Sequence, residues 1–167
     1  NLMRLDCMKI KENDIFPETI FYKITDDGPA PFKSLELFNE KKVILVGVPG
    51  AFTPTCTEEH LPGYISLSEE FKSKGIDKIY FVSTNDPFVM KAWSNSISKP
   101  DHIDFLSDGN GSFRDKSGLE FDLSSVGLGK RFARFAIYID DGKIKKIFNE
   151  GNPGLDLSKA ENVLKSI

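Results

Sequence analysis

The sequence predicts an α/β fold, a mixed central sheet with helices on both faces. Three observations predict it. An apolar run at residues 43–48 is followed by helical spacing and then by a second apolar run at 79–83. Such a strand–helix–strand unit crosses over right-handed into a parallel pair. Two β-rich runs, 134–139 and 143–148, flank Asp140-Asp-Gly142, a short-range hairpin signal. Residues 157–164 close the chain with an amphipathic helical pattern. Parallel pairing early, an antiparallel hairpin late and a terminal helix need layers on both sides of one sheet.

The remaining elements follow in order. Residues 1–12 are short and mixed and read as an N-terminal arm. Residues 16–24 alternate as a strand or part of a hairpin, with Asp26-Asp-Gly28 as the turn. Residues 34–38 read as one helical turn, and Lys41-Lys42 lead into the central strand. Beyond Thr53 a helix is expected to about Lys74, with Leu61, Tyr64, Leu67, Ser68 and Phe71 on its inner face. Pro62-Gly63 should kink it, and Gly75 is a natural stop. Thr84-Asn-Asp86-Pro opens a further helix through Val89, Met90 and Trp93, residues 103–106 form a short strand, and 113–119 a helical turn. No repeat, low-complexity tract or linker interrupts the chain, so residues 1–167 are expected to form a single domain.

Composition narrows the function. The 167 residues are 40% hydrophobic and 28% charged, ordinary for a globular protein. A net charge of −3 lacks the basic footprint of a nucleic-acid binder, and no apolar stretch is long enough to span a membrane. Two cysteines make no disulfide framework and two histidines no rich zinc site, so no metal and no cofactor are expected. So few cysteines suit a reducing, intracellular compartment. The sequence opens on Asn1 rather than Met, which is compatible with a targeting segment upstream and hence with an organelle.

The chemistry concentrates in Pro49-Gly-Ala-Phe-Thr53-Pro-Thr-Cys56, fed by the 43–48 run and followed by helix. Thr53 is a natural N-cap, and Pro54 suits the first helical position, where a missing N–H costs nothing. Cys56 then falls in the first turn, near unpaired backbone N–H groups and the positive end of the helix dipole. Both favour a thiolate, the form of cysteine that attacks. Plain core packing is the usual fate of a free cysteine. The strand–cap–proline–cysteine order favours a reactive thiol instead. A thiol at the end of the first strand–helix unit fits a thioredoxin-like architecture.

From about Phe16 to the last helix the chain resembles the peroxiredoxins, most closely the peroxiredoxin 5 (atypical, type II) subfamily. The resemblance rests on Val-Pro-Gly-Ala-Phe-Thr-Pro-Thr-Cys at 48–56, His60-Leu-Pro-Gly63, Ser83-Thr-Asn-Asp86, Trp93 and Arg131-Phe-Ala-Arg-Phe135. It implies a thiol peroxidase serving antioxidant defence and redox homeostasis. Cys56 would attack a hydroperoxide and become a sulfenic acid. Thr53, with the amides of Thr55 and Cys56, would hold the peroxide oxygens, Pro49 would shield the sulfur, and Arg134 would stabilise the charge. Arg131 is the near competitor for that last role, and a surface ion pair is the ordinary fate of either arginine. His60 lies four residues after Cys56 and is an accessory candidate, although a packing or helix-surface histidine fits equally. His102 reads as a solvated loop residue.

Some relatives carry a second, resolving cysteine before the last helix, where Gly154-Leu-Asp-Leu157 stands here. The only other cysteine is Cys7, in the arm. The resemblance therefore implies a one-cysteine type whose sulfenic acid is resolved by an outside thiol: glutathione, glutaredoxin or thioredoxin. It also implies a homodimer packed through loops around the site. The compartment expected is the cytoplasm, or a mitochondrion or plastid if a targeting segment was removed. Two other classes stay open. Thr53-Pro-Thr-Cys56 also suits a monothiol oxidoreductase, a Cys-X-X-Cys with its first cysteine replaced. A non-enzymatic redox sensor or holdase would use Cys56 oxidation to change a binding surface.

Overall fold

In the computed structural model, which describes residues 8–167, a seven-stranded sheet has the order β2-β1-β5-β4-β3-β8-β9. Cys7 and the start of the predicted arm lie outside the described residues. β1 (Ile20–Thr25) and β2 (Gly28–Lys33) form the hairpin turned by Asp26-Asp27 and Gly28, and α1 (Ser34–Phe38) follows. β3 (Lys42–Gly47), β4 (Lys78–Ser83) and β5 (Ile103–Ser107) pair in parallel at the centre. β8 (Phe135–Asp140) and β9 (Lys143–Asn149) are the late hairpin, and β8 pairs antiparallel with β3. The predicted mixed sheet is the observed one. Unforeseen is a separate two-stranded ribbon of β6 (Glu120–Asp122) and β7 (Lys130–Phe132).

Strand alternation sorts the core into two layers. Ile44 and Val46 of β3 pack with Leu61, Tyr64, Phe71, Trp93 and Val163 on one face. Val43 and Leu45 pack with Phe38, Phe113, Phe132 and Phe135 on the other. Helices therefore cover both faces. On the first face lie α2 (Leu61–Ser66), α3 (Ser68–Ser73), α4 (Pro87–Asn95) and α6 (Ala160–Ser166), with α1 and α5 (Ser112–Ser117) opposite. Asp86 caps α4, its carboxylate accepting from the Val89 amide at 2.9 Å. His102 is not solvated: it is half-buried, 3.2 Å from the Ser68 carbonyl.

The long helix predicted after Thr53 is segmented differently from expectation. Residues 54–55 are α-helical, Cys56–His60 form a π-helical turn, and α2 and α3 meet at Leu67, where φ is −100°. Pro62 therefore does not break the helix. Proline has no N–H to close an ordinary turn. The turn before it is widened instead, with the Leu61 amide bonding to the Cys56 carbonyl five residues back.

Gly47 ends β3 opposite Phe135. A Cβ at Gly47 would stand 1.8 Å from the Phe135 ring, a fully buried side chain. Gly47→Ala is expected to destabilise the fold by about 1–3 kcal/mol through overpacking. Urea unfolding should show a lower midpoint with an unchanged slope.

Candidate active site

Beyond β3 the chain passes through Val48 into the loop of Pro49, Gly50, Ala51 and Phe52. Two tethers hold this loop. The Ala51 amide donates to Asn85 Oδ1 at 2.9 Å, and Arg131 Nη1 donates to the Pro49 carbonyl at 3.0 Å. Between them Phe52 adopts a left-handed φ of 63°, a strained conformation for a side-chain-bearing residue. Helix begins immediately afterwards. The Thr57 amide bonds back to the Thr53 carbonyl at 3.0 Å, so Thr53 does occupy the cap position. Its side chain does something else. The Thr53 hydroxyl donates to the Gly50 carbonyl at 2.7 Å, pinning the loop rather than capping an amide.

Cys56 opens the π turn and is completely buried, packed among Val48, Ala51 and Leu61. The amides of Thr55 and Cys56 precede the first helical bond, so no helical carbonyl takes them. Trp93 Nε1 donates to the Thr57 hydroxyl at 3.2 Å, which puts an indole beside the residue that follows Cys56.

Strand register decides which arginine reaches this end of the sheet. Gly47 pairs with Phe135, so Arg134 lies level with the exit of β3. It is 2% exposed. Arg134 Nε donates to the Pro153 carbonyl at 3.1 Å, and Nη1 stands 3.0 Å from His60 Nδ1. Among the described residues no carboxylate lies within ion-pairing distance of it. A guanidinium has no acceptor, so His60 Nδ1 must be the acceptor and the ring proton sits on Nε2. That proton goes to the Ser158 carbonyl, 3.0 Å away. Burial first, then the adjacent Arg134 charge, hold His60 down to about 3 from an ordinary 6.5, with the Ser158 bond working the other way. His60 is thus neutral near pH 7.

His60 is therefore neither a surface residue nor mere packing. It joins the helix that carries Cys56 to Arg134. Arg131, the competitor, is half-buried and tied to the Leu128 and Pro49 carbonyls, so it clamps the loop. Sequence reasoning missed Tyr64, Asn85, Glu150 and Ser158. Tyr64 OH donates to the same Ser158 carbonyl at 2.7 Å, and Glu150 Oε2 gathers the Asp156 and Ser158 amides and the Ser158 hydroxyl. Only the Ser83-Thr-Asn85-Asp motif carried a signal for any of them. Among the described residues no three His, Cys, Asp or Glu side chains are grouped to hold a metal ion, and no helix is long and apolar enough to cross a membrane.

Residues 11–164 match the Redoxin family. Peroxiredoxin-2B of Arabidopsis thaliana is 49% identical over 159 residues, 95% of this chain and 98% of the relative. The chain belongs to the peroxiredoxin family. It is a thiol-dependent peroxidase with a thioredoxin-like fold. The crystal structure of reduced Prx3 in complex with hydrogen peroxide from Vibrio vulnificus has a TM-score of 0.88 at 42% identity, covering 94% of this chain and 98% of that one. Peroxiredoxin 5 from Alvinella pompejana has a TM-score of 0.82 at 34% identity, covering 94% and 97%. The likeness places this peroxiredoxin with the type II, peroxiredoxin 5-like proteins, as its motifs imply.

The buried His60 makes a pH prediction for this peroxiredoxin. Between about 6.5 and about 3 the unfolded chain binds a proton that the folded chain refuses. Stability is therefore complete above 6.5 and is lost as pH falls, by up to about 1.4 kcal/mol per pH unit from this group. Asp108, which burial raises to about 6 despite amide bonds from Phe113 and Arg114, contributes with the opposite sign between 3.8 and 6. The readout is accordingly the difference between the wild type and His60→Gln in urea unfolding. That difference should shift in favour of the variant as pH drops from 7 to 4.

Proposed function

We propose that Cys56 is the attacking thiolate of this peroxidase and that Arg134, Thr53 and Pro49 complete its site. One observation carries the reading. The Arg134 guanidinium is a buried cation hydrogen-bonded only to neutral acceptors, one of which, His60, ends the helical turn that Cys56 opens. A buried charge without a counterion is costly unless an anion arrives. The Cys56 thiolate, and the negative charge that develops on the peroxide oxygens in the transition state, supply that anion.

The chemistry follows. Cys56 sulfur attacks the terminal oxygen of the hydroperoxide, an S–O bond forms, and the O–O bond breaks. The departing oxygen takes the electron pair and a proton, leaving as water or an alcohol, and Cys56 becomes a sulfenic acid. The Thr53 hydroxyl donates to Gly50 O, so its lone pairs remain to accept from the peroxide O–H. The amides of Thr55 and Cys56 face the oxygens as first-turn donors. Pro49 covers the sulfur, and Arg131 secures Pro49 through its carbonyl. Arg134 is preorganised by His60 and Pro153, and that preorganisation supplies transition-state stabilisation.

The sequence has two cysteines and none in residues 150–158, so the sulfenic acid is resolved from outside. An external thiol, from glutathione, glutaredoxin or thioredoxin, displaces water to form a mixed disulfide. A second thiol then releases Cys56. A completely buried sulfur reaches a macromolecular thiol only if its turn loosens, and Trp93 on Thr57 reports that movement. The working form is a homodimer, with exposed Phe52, Phe88 and Val126 as its apolar contacts. The protein acts inside the cell, in the cytoplasm or an organelle such as a mitochondrion or plastid.

Stopped-flow mixing of reduced protein with hydrogen peroxide, read by Trp93 fluorescence, tests the reading. Cys56→Ser should abolish the fast phase and Cys7→Ser should leave it. Arg134→Gln should slow it roughly 100-fold, the typical cost of a lost charge-stabilising donor. A wild-type rate no faster than a free thiol would sink the assignment and favour the monothiol oxidoreductase. Sedimentation as a monomer at high concentration would remove the dimer.

A further inference from the structure

We propose that Glu150 is a positioning residue for the peroxidase reaction, acting on Arg134 through the 150–158 loop and His60. The inference rests on the Arg134 role given above and extends it to a residue that touches neither sulfur nor peroxide.

The path is a closed ring of hydrogen bonds. Glu150 Oε2 accepts from the Asp156 amide (2.8 Å), the Ser158 amide (2.8 Å) and the Ser158 hydroxyl (2.9 Å). Three donors on one carboxylate oxygen fold the loop back on itself and set the direction of the Ser158 carbonyl. That carbonyl takes the His60 Nε2 proton and the Tyr64 hydroxyl. With Nε2 committed as the donor, Nδ1 presents its lone pair to Arg134 Nη1. The same loop supplies the Pro153 carbonyl to Arg134 Nε, and the Asn152 carbonyl to its amide. Glu150 closes the ring, since its own amide donates to the Arg134 carbonyl at 3.0 Å.

Both acceptors of the guanidinium thus hang on one loop, which the Glu150 carboxylate holds in shape. His60, Tyr64, Ser158 and Arg134 are all buried, so a misdirected carbonyl here has no solvent to replace its partners. Without the carboxylate the Ser158 carbonyl turns and His60 loses its fixed tautomer. Arg134 then keeps its charge but loses its aim.

The test is a double-mutant cycle on the reduced full chain, with hydrogen peroxide as the probe. Glu150→Ala should slow Cys56 oxidation roughly 10- to 100-fold, the scale of a small misplacement in a preorganised site. Glu150→Gln should restore most of the rate, because an amide oxygen still accepts from the same donors. In an Arg134→Gln background, Glu150→Ala should add less than about twofold, as expected for residues acting in series. Imidazole nitrogen shifts should show the Nε2–H tautomer of His60 in wild type and Glu150→Gln, and a mixture in Glu150→Ala.

An equal loss in both backgrounds, or a full loss with the tautomer unchanged, makes Glu150 merely structural and overturns the inference. A normal rate in Glu150→Ala beside a slow Arg134→Gln overturns it and leaves the Arg134 role standing. A fast Arg134→Gln removes the Arg134 role and the inference with it. If Glu150→Ala does not fold, Ser158→Ala takes its place in the same cycle, deleting one of the three donors. Its loss should point the same way and vanish in Arg134→Gln; an additive loss overturns the inference.

Discussion

Arginine cannot shed its proton in a protein, so burying Arg134 obliges the fold to meet a permanent charge with acceptors. The usual solution is a carboxylate. This structure uses a proline carbonyl and a neutral imidazole nitrogen instead. Both satisfy hydrogen-bonding geometry, and neither cancels the charge. The site therefore keeps positive potential in a low-dielectric pocket, where it acts most strongly on an anion. The arrangement constrains its surroundings. His60 must stay neutral, which requires its burial, and its other nitrogen must have an acceptor, which requires the Ser158 carbonyl.

The sheet supplies the rest of the geometry. Parallel β3 ends at the site because strand–loop–helix connections gather functional groups at strand C-termini. Antiparallel β8 runs the other way, so its first residue arrives where β3 leaves. Gly47 permits this approach, since the Phe135 ring occupies the space of a Cβ. The Phe135 contact thus sets the height at which Arg134 meets the loop. The π turn has a related effect. Pro62 widens the preceding turn, and Cys56 and His60 become the two ends of that turn. One end carries the sulfur and the other holds the arginine.

The fold and the family were legible in the chain because both are written in local pattern. Strand–helix–strand spacing, the Asp140-Asp-Gly142 turn and the Thr53-Pro-Thr-Cys56 cap depend on neighbours in sequence, and the motifs of residues 48–56 and 131–135 identified the family. Three local readings needed correction. The Thr53 side chain pins Gly50 rather than capping an amide, His60 is a buried bridge, and His102 is half-buried against the Ser68 carbonyl. In each case the tertiary partner outweighed the local preference.

Choosing between Arg131 and Arg134 illustrates the limit. Both lie in one short motif three residues apart, and resemblance alone ranked them. Strand register sends Arg134 beneath the helix and Arg131 onto the Pro49 carbonyl. Glu150 and Ser158 left no mark in the sequence, because a carboxylate eight residues from a serine is ordinary surface composition. The chain by itself determined the architecture and the family and marked Cys56 as the cysteine proposed to react, since short-range patterning specifies elements and their ends. Only the folded structure decided how the arginine is held, since those bonds join residues 60, 134, 150 and 158, which meet only when the sheet has set its register.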